Sequence, residues 1–163
     1  MIRVFWSRTL DSELLLARSL ALGFGLSRIP SVQKGEKGKP WFPDLPDVHF
    51  NLSHSGALTL CAVADRPVGA DIEEIRPRHR SLPRYTLNGE EYELFLREKG
   101  GWDVFYTLWT RKEAWCKQTG EGLLLPPSRM VIPAGTLLRG YKGESWCAAV
   151  CGEQMPPEEV TEL

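Results

Sequence analysis

Two acidic residues that follow an apolar segment are the first in this sequence whose types and spacing suggest chemistry. Asp71 and Glu73 alternate with Ala70 and Ile72, the pattern of a β-strand in which alternate side chains share a face. Two carboxylates on one face repel each other unless a cation or a proton lies between them. A divalent cation with oxygen ligands suits such a pair, and a solvent-facing strand edge is the alternative explanation.

A third carboxylate, Glu113, lies in a segment with the periodicity of an α-helix. Glu113 and Lys117 are one turn apart and fall on the helix face that otherwise carries apolar residues. Those apolar residues are Trp102, Phe105, Tyr106, Trp109 and Cys116. An ordinary amphipathic helix has its charges on the opposite face, so this pair predicts a functional role. The alternative is a pair at the rim of the core, which stabilises a helix by about 0.2–0.5 kcal/mol.

Two further segments carry groups that can bind phosphate. Residues 51–56 include Ser53 and His54, whose hydroxyl and imidazole can donate hydrogen bonds to an anion. A nucleophilic Ser–His arrangement is the alternative, but the sequence has no G-x-S-x-G motif, and adjacent side chains of a strand point to opposite faces. A glycine-punctuated loop without the spacing of a P-loop carries three lysines. These are Lys34, Lys37 and Lys39.

Predicted strands and helices must position these residues. Strands are predicted at residues 2–6, 48–52, 57–64, 68–72, 129–132, 136–142 and 145–151, and helices at 12–23, 90–98 and 102–118. Residues 74–87 are predicted to form a loop, and the tail beyond Gly152 is predicted to fray. Residues 59–64 resemble residues 145–150, which indicates either a duplicated α+β half or a chance similarity of short strands.

Composition narrows the class of protein. The chain has 163 residues, a hydrophobic fraction of 42% and a formal net charge of −1. It fits one domain, has no apolar run of the roughly 20 residues that a membrane helix needs, and carries no overall basic charge for nucleic acid. Its N-terminus lacks the features of a signal peptide. Its four cysteines form no C-x-x-C pair. We therefore predict a cytoplasmic protein with reduced core cysteines and neither membrane nor nucleic-acid partners.

Taken together and in order, four segments resemble the 4′-phosphopantetheinyl transferases of the surfactin-synthetase (Sfp-like) type. They are Gly38–Pro40, Phe50–Ser55, Val68–Glu73 and Trp109–Lys117. The most specific part is the G-x-D-x-E motif followed by W-x-x-K-E-A-x-x-K. The resemblance covers about residues 38 to 125.

This resemblance implies an α+β fold with a pseudo-twofold duplication of two small halves and a cofactor cleft between them. The halves would be residues 1–75 and 76–152, followed by a flexible tail at 153–163. The implied activity is Mg²⁺-dependent transfer of the phosphopantetheine arm of coenzyme A to a serine of an apo acyl or peptidyl carrier protein, with release of 3′,5′-ADP. Members of the family usually act as monomers. The alternative is a non-catalytic module of the same fold that binds coenzyme A or a carrier protein.

The resemblance also implies roles for individual residues by motif position. Asp71, Glu73 and Glu113 would bind Mg²⁺, and Glu113 and Lys117 would be catalytic. The coenzyme A-binding residues would be Arg18, Lys34, Lys37, Lys39, Asn51, Ser53, His54, Asp71, Lys112 and Lys117. The segment before Gly38 is shorter than in most members, which leaves open which of its basic residues contact the 3′-phosphate.

Overall fold

Helices and strands follow each other much as the sequence pattern predicts. The structure, a computed structural model, describes residues 1–122 and 125–163. Its strands are β1 (Ile2–Ser7), β2 (Gln33–Lys34), β3 (Pro40–Trp41), β4 (His49–Ser55), β5 (Leu58–Ala64), β6 (Val68–Glu74), β7 (Leu137–Lys142), β8 (Trp146–Gly152) and β9 (Thr161–Glu162). Its helices are α1 (Ser12–Phe24), α2 (Leu82–Thr86), α3 (Gly89–Arg97) and α4 (Trp102–Thr119), with a 3₁₀ turn at Pro127–Arg129.

Two sheets with a similar strand order form the centre of the molecule. The first has the order β4-β5-β1-β9 and the second β6-β8-β7, while β2 and β3 pair as a separate hairpin. Apart from β9, each sheet begins with one strand, continues after a helical segment with two further strands, and has the last of these strands in its centre. The similar segments at residues 59–64 and 145–150 fall on the equivalent strands β5 and β8. The α+β class is therefore confirmed, and the strand order supports a duplication.

The chain passes from one sheet to the other earlier than the sequence suggested. Strand β6 pairs with β8 along its whole length and belongs to the second sheet. The transition therefore lies in the short turn at residues 65–67, ahead of the predicted division near residue 75. The predicted boundary placed β6 in the first half because of its position in the sequence, whereas its hydrogen bonds to β8 place it in the second sheet.

The central strands are buried on both faces because each sheet packs between a helix and the other sheet. In β5, Leu58 and Leu60 pack towards the second sheet, whereas Cys61 and Val63 pack beneath α1. Alternate residues of a strand point to opposite faces, so a doubly buried strand needs apolar residues at every position. Strand β8 meets the same requirement with Trp146 followed by smaller residues, and all of its residues are buried. The resulting layers are α1, first sheet, second sheet and α4.

Helix α4 lies unusually close to β6, where a glycine makes the approach possible. A Cβ atom on Gly69 would lie 2.8 Å from the Cα of Gln118 and would overlap the carbonyl oxygen of Ala114. The absence of a side chain at this one position therefore lets the helix backbone rest on the strand. This contact fixes the height of α4 above the acidic end of β6.

Local signals account for the ends of the helices. Asn88 caps α3 in a capping box with Glu91, as an Asn three residues before a Glu predicts. Helix α1 ends at Gly25 and α4 at Gly120, and both glycines have the positive φ of a left-handed C-cap. The sequence placed the end of α1 at Gly23, because an earlier glycine in the same segment carries the same signal.

Four local predictions differ from the structure. Residues 74–87, expected as loop, contain α2, which begins with Pro83 in its first turn. Residues 129–132, expected as a strand, begin at the last residue of a 3₁₀ turn and continue without regular secondary structure. The glycine-rich loop is a hairpin of β2 and β3. The tail, expected to fray, returns to the first sheet, where β9 pairs in parallel with β1 and the N–H of Leu163 donates to the carbonyl of Trp6.

The structure also bears on the predictions about the cysteines and about membrane helices. All four cysteines are free and buried, as their apolar surroundings predicted. Of the helices within residues 1–122 and 125–163, none is long and apolar enough to cross a membrane.

Candidate active site

An open cleft of about 380 Å³ lies where β4, β6 and α4 meet. Strands β4 and β6 are edge strands of different sheets, so the cleft lies between the two halves of the fold. Its described lining residues are Leu52, Ser53, His54, Asp71, Glu73, Trp109, Glu113 and Lys117. The three predicted carboxylates and the predicted lysine therefore line one cleft.

Asp71 is the most buried of the carboxylates, with 4% of its surface exposed. Its Oδ1 accepts hydrogen bonds from Lys117 Nζ at 2.6 Å and from Ser53 Oγ at 2.8 Å. Its Oδ2 is buried and has no hydrogen-bond partner among the described residues. Burial raises the pKa of this carboxyl, whereas the charge and the hydrogen bonds of Lys117 and Ser53 lower it. A buried carboxylate oxygen without a partner retains the capacity to bind one more donor or a cation.

Glu73 and Glu113 approach the cleft from different elements. Glu73 is half-buried on β6, and its Oε2 accepts a hydrogen bond from Ser55 Oγ at 2.7 Å. Glu113 projects from α4. Burial raises the pKa of Glu113, the charge of Asp71 raises it further, and Lys117 lowers it. A carboxylate whose pKa is raised holds a proton more readily, which is the property a general base requires.

The donor set suits a hard divalent cation, although the side chains do not already surround one point. Asp71, Glu73 and Glu113 supply the oxygen ligands that Mg²⁺ prefers, and Asp71 Oδ2 lacks a partner. Within the described part of the chain, no three histidine, cysteine or acidic side chains are arranged closely enough to hold a metal. Lys117 Nζ now neutralises Asp71. The chemistry of these residues fits a metal, and binding one requires their side chains to converge.

A second cavity of about 240 Å³ adjoins the first, and Leu52, Glu113 and Lys117 line both. The hairpin of β2 and β3 contributes Lys37 and Lys39 to its wall. The two cavities therefore form a continuous groove from the carboxylates to the lysine-rich hairpin. Such a groove can accept an elongated anionic ligand.

Lys39 has a structural role in addition to its place in this wall. Its Nζ donates to the carbonyl of Gln118 at 2.7 Å and to that of Val68 at 3.1 Å. Burial lowers the pKa of Lys39 to about 8. Lys37 forms an ion pair with Glu121. Both lysines thus tie the hairpin to the end of α4, which joins the two halves across the groove.

Three residues that the family resemblance placed near coenzyme A lie elsewhere. Lys112 is fully buried, and its Nζ donates to the carbonyls of Thr86 at 3.0 Å and Pro127 at 2.7 Å and pairs with Glu91 at 2.5 Å. Neighbouring residues of a helix point about 100° apart, so Lys112 contacts α2, α3 and the 3₁₀ turn while Glu113 lines the cleft, and the cofactor-binding prediction for Lys112 is corrected. Arg18 on α1 and Lys34 in β2 are exposed, and neither is among the described lining residues of the groove.

The polar residues of β4 divide between its two sides. Asn51, Ser53 and Ser55 are buried and face β6, whereas His54 is exposed at the rim of the cleft. Asn51 Oδ1 accepts from the N–H of Ala70 at 2.9 Å, so it acts on backbone. Ser53 and His54 do not share a side of the strand. This arrangement disfavours the hydrolase alternative, which needs the two side chains together.

A third cavity, of about 420 Å³, adjoins the first cleft at Glu73 and Trp109 and was missed from the sequence. It shares Glu73 and Trp109 with the first cleft, and Phe105 and Tyr106 form part of its wall. Its rim belongs to the segment from Arg76 to Asn88, which contains four arginines and no acidic residue. The run of arginines was a visible signal, but its position beside the carboxylates follows only from the fold.

Comparison with known proteins gives the family. Residues 67–150 match the model of the 4′-phosphopantetheinyl transferase superfamily. This match covers more than half of the chain and contains Asp71, Glu73, Glu113 and Lys117. The chain belongs to the 4′-phosphopantetheinyl transferase superfamily.

Individual phosphopantetheinyl transferases support this membership. The chain is 39% identical over 122 residues to a 4′-phosphopantetheinyl transferase of Bacillus subtilis, which covers 73% of the chain and 54% of the relative. It is 45% identical over 93 residues to the 4′-phosphopantetheinyl transferase Sfp of Bacillus subtilis (strain 168), covering 56% of the chain and 42% of the relative. It is 42% identical over 110 residues to the 4′-phosphopantetheinyl transferase AcpT of Salmonella typhi, covering 64% of the chain and 57% of the relative. The chain spans about half the length of these curated relatives.

Proposed function

We propose that this phosphopantetheinyl transferase family member transfers the 4′-phosphopantetheine arm of coenzyme A to a serine of an apo acyl or peptidyl carrier protein. The observation that carries the proposal is the convergence of Asp71, Glu73, Glu113 and Lys117 on one cleft between the two halves. Three carboxylates and a lysine so close together are costly to a fold, because burial and mutual repulsion disfavour the charged carboxylates. Such a cluster suits the binding and transfer of a phosphoryl group.

The reaction joins the serine oxygen of the carrier protein to the phosphorus that bears the pantetheine arm. The bond between that phosphorus and the 3′,5′-ADP oxygen breaks, and the leaving group departs with the electron pair. Glu113 accepts the proton of the serine, a role that its raised pKa favours. Lys117 offsets the negative charge that grows on the leaving group. Positioning and electrostatic stabilisation therefore supply most of the catalysis.

Mg²⁺ would be held by Asp71, Glu73 and Glu113. When bound, it would neutralise pyrophosphate charge in the ground state and during bond cleavage. Lys117 pairs with Asp71, and with a cation on that carboxylate its ammonium group would be available to a phosphate. The same side chain thus preserves the charge balance of the cleft in both situations.

The groove beside the carboxylates provides the site proposed for coenzyme A. Lys37 and Lys39 line the cavity at the hairpin and Lys117 lines it where it joins the carboxylate cleft, so positive charge lies on two sides of the region proposed for the phosphates. His54 at the rim can donate to the same phosphates. Arg18 and Lys34 would require a movement of their elements to take part. We propose a cytoplasmic, monomeric enzyme whose partners are coenzyme A and the carrier protein.

Holo-formation mass spectrometry tests the proposed activity. The protein is incubated with coenzyme A, Mg²⁺ and a panel of apo acyl and peptidyl carrier proteins. A gain of one phosphopantetheine arm on at least one carrier, which EDTA abolishes and Mg²⁺ restores, is the expected result. Unchanged carrier masses throughout the panel would contradict the proposal.

The alternative, a module that binds coenzyme A without catalysis, predicts a different outcome in the same samples. Isothermal titration calorimetry would then detect coenzyme A binding while every carrier protein keeps its apo mass. The complete set of carboxylates and Lys117 favours the enzyme, because a binding module has no need of a general base.

A further inference from the structure

The two sheets meet at β4 and β6 through side chains. Asn51, Ser53 and Ser55 accept hydrogen bonds from the backbone N–H groups of Ala70, Ile72 and Glu74, at 2.9, 3.3 and 3.2 Å in that order. A buried N–H group without a partner destabilises a fold, and β6 is an edge strand of its own sheet. Alternate side chains of β4 therefore replace the neighbouring strand that β6 lacks on this side.

The two serines of this joint make a second bond that the asparagine does not. Ser53 Oγ donates to Asp71 Oδ1 at 2.8 Å, and Ser55 Oγ donates to Glu73 Oε2 at 2.7 Å. A serine hydroxyl has a single proton. Since the β6 N–H group fixes the oxygen, the proton is left to point at the carboxylate one residue earlier in β6. The same pair of hydrogen bonds, one from a backbone N–H and one to a carboxylate, thus occurs at Ser53 and again at Ser55.

We propose that Ser53 and Ser55 are positioning residues that orient the Asp71 and Glu73 carboxylates towards a bound cation. This inference rests on the proposed function only in its choice of a divalent metal as the ligand of those carboxylates. Each hydroxyl holds one oxygen of its carboxylate and leaves the other free. In Asp71 the free oxygen is Oδ2, which is buried without a described partner.

The hydrogen-bond capacity of Ser53 distinguishes this role from phosphate binding. Its hydroxyl donates its only proton to Asp71 and accepts from the N–H of Ile72 and from Lys117 Nζ at 3.2 Å. One donor and two lone pairs are the full capacity of a hydroxyl. Ser53 therefore has no proton left for a coenzyme A phosphate, and its expected role there is replaced by one that acts through Asp71.

Metal binding, measured apart from catalysis, tests the inference. Mn²⁺ serves as a paramagnetic substitute for Mg²⁺, and its dissociation constant is measured by electron paramagnetic resonance with coenzyme A present and no carrier protein. Loss of a partner that orients a metal ligand commonly weakens metal binding by about 10–100-fold, and we expect a loss in this range for Ser55→Ala. Ser55→Thr keeps the hydroxyl and should retain most of the affinity. Ser31→Ala, at an exposed serine distant in sequence from β4, is the matched control.

A purely structural role makes a different prediction. Ser55→Ala would then lower the melting temperature, because the N–H of Glu74 loses its partner, while the Mn²⁺ dissociation constant stays at the wild-type value; that result would overturn the inference. In a Glu73→Gln background, Ser55→Ala should cause little further loss of Mn²⁺ affinity, since both act through one carboxylate. If Ser55→Ala does not fold, Ser55→Cys, whose thiol is a weak donor, is expected to show the same loss.

The outcomes separate this inference from the proposed function. A wild-type protein that binds Mn²⁺ but modifies no carrier removes the proposed function, while weaker Mn²⁺ binding by Ser55→Ala still supports the positioning role. Normal carrier modification together with unchanged Mn²⁺ affinity in Ser55→Ala overturns the positioning role alone. A wild-type protein that binds no Mn²⁺ overturns the positioning role whether or not transfer occurs.

Discussion

At the scale of single residues, the cleft combines side chains that a stable fold would normally keep apart. Asp71 and Glu113 both have a raised pKa, chiefly because of burial. Lys117 offsets part of this cost through its ion pair with Asp71. Folding stability is therefore reduced at the place where the chemistry is proposed to occur, as expected where catalytic groups are held out of water.

Glu113→Gln should separate activity from stability. If Glu113 is the general base, transfer should fall by at least about 10²–10⁴-fold, measured as the initial rate of holo-carrier formation by mass spectrometry. The fold should remain intact because glutamine has nearly the same shape. A variant with wild-type turnover would contradict the assignment of Glu113 as base and ligand.

The same variant should change how stability depends on pH. The pKa of Glu113 is raised above its ordinary value of 4.5 in the folded protein, so the folded state holds this proton to a higher pH than the unfolded state. The contribution of Glu113 to stability is therefore fully present below pH 4.5 and is lost as the pH rises through the folded pKa. Chemical denaturation at several pH values should show that the free energy of unfolding declines less above pH 4.5 in Glu113→Gln than in the wild type. An unchanged or steeper decline in the variant would contradict a raised pKa for Glu113.

At the scale of secondary structure elements, α4 organises the site because different sides of it make different contacts. Glu113 and Lys117 face the cleft, Ala114 packs inward against Ala149 and Cys151 of β8, and Lys112 is held between α2 and the turn at Pro127–Arg129. Such a helix cannot shift without disturbing the cleft and both neighbouring segments. The distance of α4 from β6 and its rotation are consequently the two parameters that the surrounding structure must fix.

Gly69→Ala should change the distance between α4 and β6. A methyl group at this position overlaps the backbone of α4, which must move away from β6. Overpacking of a core commonly costs about 1–3 kcal/mol, so the urea midpoint should fall, and transfer should fall as Glu113 and Lys117 move away from Asp71. Gly89→Ala is the matched control, because a Cβ there meets no described atom within 4 Å and alanine favours a helix. Equal behaviour of the two variants would contradict the close approach.

Lys112→Met should affect the rotation of α4. It leaves the Glu91 carboxylate and two backbone carbonyls without their buried partner. Removing one member of a buried ion pair typically costs about 3–5 kcal/mol, measured as the free energy of unfolding in urea. Adding Glu91→Gln should recover part of this loss, because it removes the unpaired charge and keeps a side-chain acceptor for the N–H of Asn88. Lys34→Met, at an exposed lysine, should have little effect; a comparable loss there would contradict the buried clamp.

At the scale of the whole molecule, charge is unevenly distributed although the formal net charge is only −1. The exposed residues Arg76, Arg78, Arg80 and Arg84 all lie in one segment beside the cavity that adjoins Glu73 and Trp109. Arg78 also donates to the hydroxyl of Tyr106 at 3.3 Å, which ties this segment to α4. A positive patch next to the cleft can steer an acidic partner to it.

Removing charge from this patch should slow association with an acidic carrier protein. The triple variant Arg76→Ser/Arg80→Ser/Arg84→Ser leaves the contact of Arg78 with Tyr106 in place. We expect kcat/KM for an acidic carrier to fall and to depend less on salt than in the wild type, while kcat changes little, because steering acts on encounter. The control is a second triple variant, Arg28→Ser/Lys34→Ser/Arg66→Ser, which changes three exposed basic residues outside this segment. Identical salt dependence in the two triple variants would contradict a docking role.

The sequence alone determined the features that depend on local spacing. Alternation placed Asp71 and Glu73 on one face of a strand, helical periodicity placed Glu113 and Lys117 one turn apart, and the order of the motifs predicted the family. Tertiary structure decided what these side chains contact. Lys112 and Glu113 are neighbours in the same motif, yet one is buried in a clamp and the other lines the cleft. The partner of Ser55 is Glu73 on a strand of the other sheet. Neither could be predicted, because such contacts depend on how distant elements pack.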